Sequence, residues 1–117
     1  MDYEQKIITE IAALNDEFRN SPFKPELGKI YCTPGVAGLT DKDKAEVFKC
    51  LRAYDNFTYE SDPYGWHEFG CIEIEGIEKI FWKIDIFEDE TLSCGAEFPN
   101  DRKYSYRVLT LMLASEY

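Results

Sequence analysis

A two-layer α+β domain, with an antiparallel sheet of three to four strands packed against N-terminal, middle and C-terminal helices, is the fold class this sequence predicts. Three observations predict it. Ile7, Ile11, Leu14 and Phe18 recur at three- and four-residue steps, the period of a helix with one buried stripe. Ile80, Trp82, Ile84 and Ile86 alternate with Phe81, Lys83, Asp85 and Phe87, the period of two of a strand with one covered face. The elements run helix, strand, helix, a meander of two or three strands, and helix, an order that suggests helices covering one face of a sheet. The 117 residues, 44% of them hydrophobic, fit a single domain over residues 1–117 with material for one core.

The first helix covers the opening 20 residues, with Glu4, Glu10, Asp16 and Glu17 off the apolar stripe, and Asn20, Ser21, Pro22 and Pro25 end it. A short strand at Lys29–Thr33 follows Gly28 and precedes a turn at Pro34-Gly35. Thr40 is placed to cap a second helix over Asp41–Tyr54, where Asp41 and Asp43 fall in the first turn and favour the positive end of the helix dipole. Phe48, Leu51 and Tyr54 form its buried stripe. Residues 55–65 are rich in turn formers. Strands at Trp66–Glu75 and Glu78–Phe87 flank Gly76 and predict a hairpin, with a shorter third strand at Leu92–Glu97 bent at Gly95. A helix from Asp101 to Ser115, capped by Asn100, closes the chain; its run Val108–Ala114 is apolar nearly all round, which argues for burial on more than one side.

Charge is distributed very unevenly. Residues 55–101 hold 13 acids against two bases, Lys79 and Lys83, a net of −11, while residues 1–54 hold nine acids and eight bases, net −1. The last 16 residues are net +2, so the three parts sum to the formal −10. A chain so charged, without a basic stripe, raises a long-range barrier to phosphate and argues against direct nucleic-acid binding. The same charge attracts proteins built to hold nucleic acid, although it also serves plain solubility. No signal-like N-terminal segment and no apolar run of bilayer length is present in the sequence, so a cytoplasmic protein without membrane contact is expected.

Candidate chemistry centres on His67, the one histidine, followed by Glu68. A histidine beside carboxylates is a general acid or base near neutral pH. If His67 shared a strand with Cys71, the two side chains would lie on one face about 13 Å apart, too far for activation of the thiol. Cys32, Cys50, Cys71 and Cys94 show no C-x-x-C pair and read as free cysteines that pack like small hydrophobes. The acids around His67 match neither H-E-x-x-H nor a calcium loop, and Gly35 and Gly38 lack a phosphate-binding context. No catalytic residue, metal ligand or cofactor is therefore assigned. Trp82, between Ile80 and Ile84, reads as core.

Three stretches carry a family resemblance. Asp62-Pro63-Tyr64-Gly65-Trp66-His67-Glu68-Phe69-Gly70, Phe81-Trp82-Lys83-Ile84-Asp85 and the closing Arg107–Tyr117 segment resemble motifs of a bacterial family known only as domain of unknown function 3768. A looser likeness covers Ala13–Arg19. The resemblance implies a small bacterial cytosolic protein, often associated with mobile elements, and it implies no chemistry. The segment Ile86-Phe87-Glu88-Asp89-Glu90 departs from the family's tyrosines and alternating charge, making this chain more anionic there.

The leading functional expectation is an acidic inhibitor of the DNA-mimic or anti-CRISPR kind. It would dock on a nucleic-acid-binding protein or CRISPR effector complex and block DNA or RNA access. Glu73, Glu75, Glu78, Asp85, Glu88, Asp89 and Glu90 are the expected contact residues, with Glu73, Glu75, Lys83 and Asp85 on the side of the hairpin away from the core. A small hydrolase or transferase using His67 and a general acidic interaction module of a mobile element are the alternatives. Oligomeric state is left open.

Overall fold

The computed structural model describes residues 2–21 and 24–117. Helix α1 (Tyr3–Asn20) starts where Asp2 accepts a hydrogen bond from the Gln5 amide at 2.7 Å, satisfying one of the free N–H groups of the first turn. It ends at Ser21, as expected; Pro22 lies outside the described residues. Its inward face buries Ile11, Leu14 and Phe18 and, less usually, Asn15 and Arg19. Strand β1 (Gly28–Cys32) starts one residue earlier than expected. A short helix α2 (Pro34–Ala37) replaces the simple turn predicted at Pro34-Gly35, with proline in the first turn, where a missing N–H costs nothing. Helix α3 (Asp41–Arg52) has the predicted cap, Thr40 Oγ1 accepting from the Asp43 amide at 3.1 Å.

Strands β2 (Phe69–Ile72) and β3 (Ile80–Phe87) form the predicted antiparallel hairpin. Ile72 stands opposite Ile80, and Gly76, at φ 90°, sits at the centre of the turn. That backbone region is open to glycine at little steric cost. The alternation also holds: Ile80, Trp82 and Ile84 are buried, whereas Lys83 and Asp85 are exposed. The third strand expected at Leu92–Glu97 reduces to one bridge between Phe87 and Gly95.

The closing helix predicted over Asp101–Ser115 is absent, and its place is taken by strand β4 (Tyr106–Leu113), between single 3-10 turns at Arg102–Tyr104 and Ala114–Glu116. The apolar run is real but belongs to a central strand, whose inward residues Leu109 and Leu111 are buried and whose outward Val108 and Thr110 are half-buried. An apolar run of this length reads alike for a buried helix and a buried strand. The sheet order is β1-β4-β3-β2, with β4 parallel to β1 and antiparallel to β3. The sheet is thus mixed and not wholly antiparallel, because the last strand returns between the first strand and the hairpin. The α+β class and two layers stand, with α1, α2 and α3 as the helices.

The core lies between the helices and one sheet face. Phe18, Val36, Val47 and Leu51 meet Trp82, Ile84, Leu109 and Leu111. Gly70 is opposite Trp82, and a Cβ there would overlap the Trp82 indole and the Tyr54 ring. Trp82 is wholly buried as expected for core, edge-on to Tyr54, and its Nε1 is the one buried side-chain polar atom among the described residues without a hydrogen-bond partner.

The end of the chain is tied down by Glu116. Its carboxylate accepts hydrogen bonds from Thr33 Oγ1 at 2.6 Å and from the amides of Gly35 and Leu113, both at 2.9 Å. These bonds, led by Thr33, hold its pKa below the ordinary 4.5. A carboxylate lowered on folding contributes stability that is complete above the unfolded value and is lost as pH falls through the folded one. Glu116→Gln should therefore lower stability at neutral pH and flatten its acid limb below about pH 4.5. Urea midpoints measured from pH 3 to 7 check this; an unchanged slope would count against the anchoring role.

Candidate functional site

The expected contact carboxylates are all exposed, but they fall into separate groups. Glu73, Glu75 and Glu78 lie in the hairpin turn, where Glu78 also accepts from the Ser115 amide at 2.8 Å, which lowers its pKa. Glu88, Asp89 and Glu90 follow the other end of β3, where Asp89 is held by Thr91 Oγ1 at 2.6 Å and its pKa is likewise lowered. The eight residues of β3 separate the groups, about 23 Å at roughly 3.3 Å per residue. Asp85 lies between them on the strand and pairs with Lys83 at 3.4 Å. Lys79 pairs with Glu73 at 3.5 Å. Both lysines of the anionic stretch therefore already have a carboxylate beside them, and Glu75, Glu88 and Glu90 are left to solvent.

The sheet face turned away from the helices differs from the acidic surface expected. Lys83 and Asp85 lie on it, but Glu73 and Glu75 lie beyond the end of β2. Its other positions are largely aromatic: Phe69 stacks on Phe81 at 5.5 Å, and Tyr117 packs against both. Tyr31 on β1 is 54% exposed. The alternation of Phe81 and Phe87 with the buried isoleucines is the sequence signal for this face.

A second constellation joins α1 to the Asp62–His67 loop. His67 has φ 56° and precedes β2, so it does not share a strand with Cys71. Its amide donates to the buried Asp62 carboxylate at 3.1 Å, and its Nδ1 lies 2.9 Å from Asp16 Oδ1. The imidazole stacks on Phe57 at 3.9 Å, nearly parallel, while its Nε2 is 3.8 Å from Asp62. Asp16 is shared with Arg19 at 2.9 Å, whose guanidinium also donates to the carbonyls of Leu51 and Tyr54. One carboxylate thus orients the ring through Nδ1, as in a catalytic dyad. The groups that touch the ring are two carboxylates and a phenyl, with no Ser, Thr or Cys among these contacts. Next to this ring, Glu68 has its pKa raised by burial and then by Asp62 and Asp85.

Beside it runs a hydrogen-bonded chain that sequence reading missed. Arg107, wholly buried, donates to Asn15 Oδ1 at 2.6 Å, to Ser105 Oγ at 2.9 Å and to the Pro99 carbonyl at 2.7 Å. Asn15 in turn donates to the Trp66 carbonyl at 2.9 Å. Burial, reinforced by the nearby Arg102 cation, pushes the Arg107 pKa down to about 10. The one available signal was a polar residue inside an apolar stripe, Asn15 next to Leu14, and an arginine opening an apolar run.

A model of a family of proteins of unknown function, DUF3768, matches residues 32–116. The chain is a DUF3768 protein. The match covers β1's last residue through the closing 3-10 turn, so α1, with Asn15, Asp16 and Arg19, lies outside it. No curated protein and no solved structure matches this DUF3768 protein. Among its described residues no cluster of three or more His, Cys, Asp or Glu is arranged to hold a metal, and no helix is long and apolar enough to cross a membrane. Its four cysteines are free; Cys94 is exposed, contrary to the expectation of a packed side chain, because the bridge loop leaves it outside the core.

Proposed function

We propose that this protein is a small acidic binding protein. It docks its carboxylate-bearing ends on a basic protein that otherwise holds DNA or RNA, and so acts as an inhibitor of the DNA-mimic kind. The observation that supports the reading is the exhaustion of local cations. Lys79 and Lys83 are paired with Glu73 and Asp85, while the stretch carries a net −11. A partner's arginines and lysines would supply the missing countercharge, and such a complex weakens with salt. Two acidic groups about 23 Å apart at strand rise would touch a basic channel at two points, not along one continuous row.

The test is retention of nucleic-acid-binding proteins from nuclease-treated bacterial lysate, at low and high salt, on immobilised protein. Two charge-reversed forms run in parallel: Glu73→Lys with Glu75→Lys, and Glu88→Lys with Glu90→Lys. Salt-sensitive retention that is lost with either form is the expected result. Retention by both forms equal to that of the parent, or no retention by the parent, overturns the reading.

A further inference from the structure

The Asp62–His67 loop and the first turns of α1 enclose an apolar groove of about 610 Å³. Ile7, Ile8 and Ile11 form its helical wall, and Pro63, Tyr64 and Trp66 form the loop wall. Tyr3 and Tyr64 at its edge are 78% and 69% exposed. Large aromatic side chains left in water on a rigid support are the usual anchors of protein interfaces.

The support here is rigid for identifiable reasons. The polar residues of the loop are spent on holding it: Asp62 takes the His67 amide, the Asp62 carbonyl takes the Gly65 amide at 3.0 Å, and His67 reaches Asp16. Asn15 holds the Trp66 carbonyl from below. Gly65, at φ 72°, brings the loop onto α1, its Cβ direction 3.4 Å from Ile8 Cγ2. None of these links involves the Tyr64 or Tyr3 side chains, which are left on the rim.

We infer that this groove binds a cationic amphipathic segment of a partner protein, with its apolar side chains on the isoleucines and its lysines or arginines beside the rim. Charge decides the class. The one ionisable acid lining the groove is Glu4, and no cation lines it among the described residues. Glu10 is half-buried one turn after Lys6; four residues apart, the two share one flank of α1, and neither lines the groove. The tyrosine and tryptophan faces favour cations in addition to apolar contact. An acidic segment would bring like charge to a protein of net −10. The site is separate from the carboxylate groups at the ends of β3 and goes beyond the function proposed above.

The probes are two synthetic helical peptides with the same leucine stripe, one carrying lysine and the other glutamate on the polar face. They are titrated against the full chain with tryptophan emission as the readout, and Trp66→Phe identifies the signal. The lysine peptide should bind and shift the Trp66 emission. Its affinity should fall about tenfold or more in Tyr64→Ser and in Ile7→Ser, as for loss of an interface anchor. The form reversed at Glu88 and Glu90 should retain that loss pattern, which separates failure of the groove from failure of the acidic-surface reading. The inference is overturned if the lysine peptide does not bind, if the glutamate peptide binds as well, if the groove substitutions leave affinity unchanged, or if sedimentation shows a second copy already covering Trp66. Circular dichroism and urea midpoints of each substituted form establish that it is folded.

Discussion

Arg107→Ala is expected to destabilise the protein by about 2–5 kcal/mol, the scale of a large buried side chain truncated to alanine with buried acceptors left unsatisfied. The guanidinium touches only neutral acceptors: the Asn15 amide oxygen, the Ser105 hydroxyl and the Pro99 carbonyl. Truncation would leave the Asn15 and Pro99 oxygens without that donor, while Ser105 keeps its bond to the Asp101 carbonyl, and would open a cavity beneath β4. Arg107→Met fills most of the volume and removes the cost of burying a charge, so it should lose less than alanine. Urea denaturation of both forms checks the order. The Asn15 link to Trp66 adds a second readout, since loosening of the loop should change Trp66 emission before global unfolding. Equal midpoints for Arg107→Ala and the parent would remove the network from the account of stability.

Gly70→Val should cost about 3 kcal/mol, the upper part of the overpacking range. Gly70 stands across the ladder from Trp82, and any Cβ there meets the indole nitrogen and the Tyr54 ring. Neither ring can step aside easily: Trp82 is wholly buried, and Tyr54 is pinned between Phe57 and the Cys71 amide, which donates to its hydroxyl at 3.3 Å. The expected signature is a lower urea midpoint together with a red shift of the buried tryptophan. A valine form as stable as the parent would mean that the α3 end yields to the new side chain.

Much of this fold was legible in local pattern. The stripe of α1, the Thr40 cap and the hairpin about Gly76 each follow from residues within one or two turns of one another, so sequence distance matched spatial distance. The closing strand was not legible in this way. Whether Val108–Ala114 forms a helix or a strand depends on β1, 79 positions away, accepting it as a parallel neighbour; Lys29 stands opposite Val108. For the site, the exposed state of the seven carboxylates followed from their position in turns and on the outward side of β3, but their division into two groups depended on where the strand ended. His67 was singled out for chemistry, and its tie to Asp16 was invisible because 51 positions separate the two. Asn15 and Arg107, 92 positions apart, could not be paired by any spacing rule.

The position of β4 has a consequence for how the chain is made. The strand that holds the sheet together is the last of the four to be synthesised: β1 has no other partner among the described strands, and β3 is flanked by β4 along its whole length. Until Tyr106–Leu113 emerges, α1 has no Arg107 to engage Asn15, and the isoleucine face of the hairpin has only part of its cover. Domains generally fold as units during synthesis, and this sheet is completed only by its fourth strand. Termination between Phe87 and Tyr106 would therefore release a chain in which β1 and β3 each lack the neighbour that β4 provides, a product with an open core suited to proteolysis more than to function.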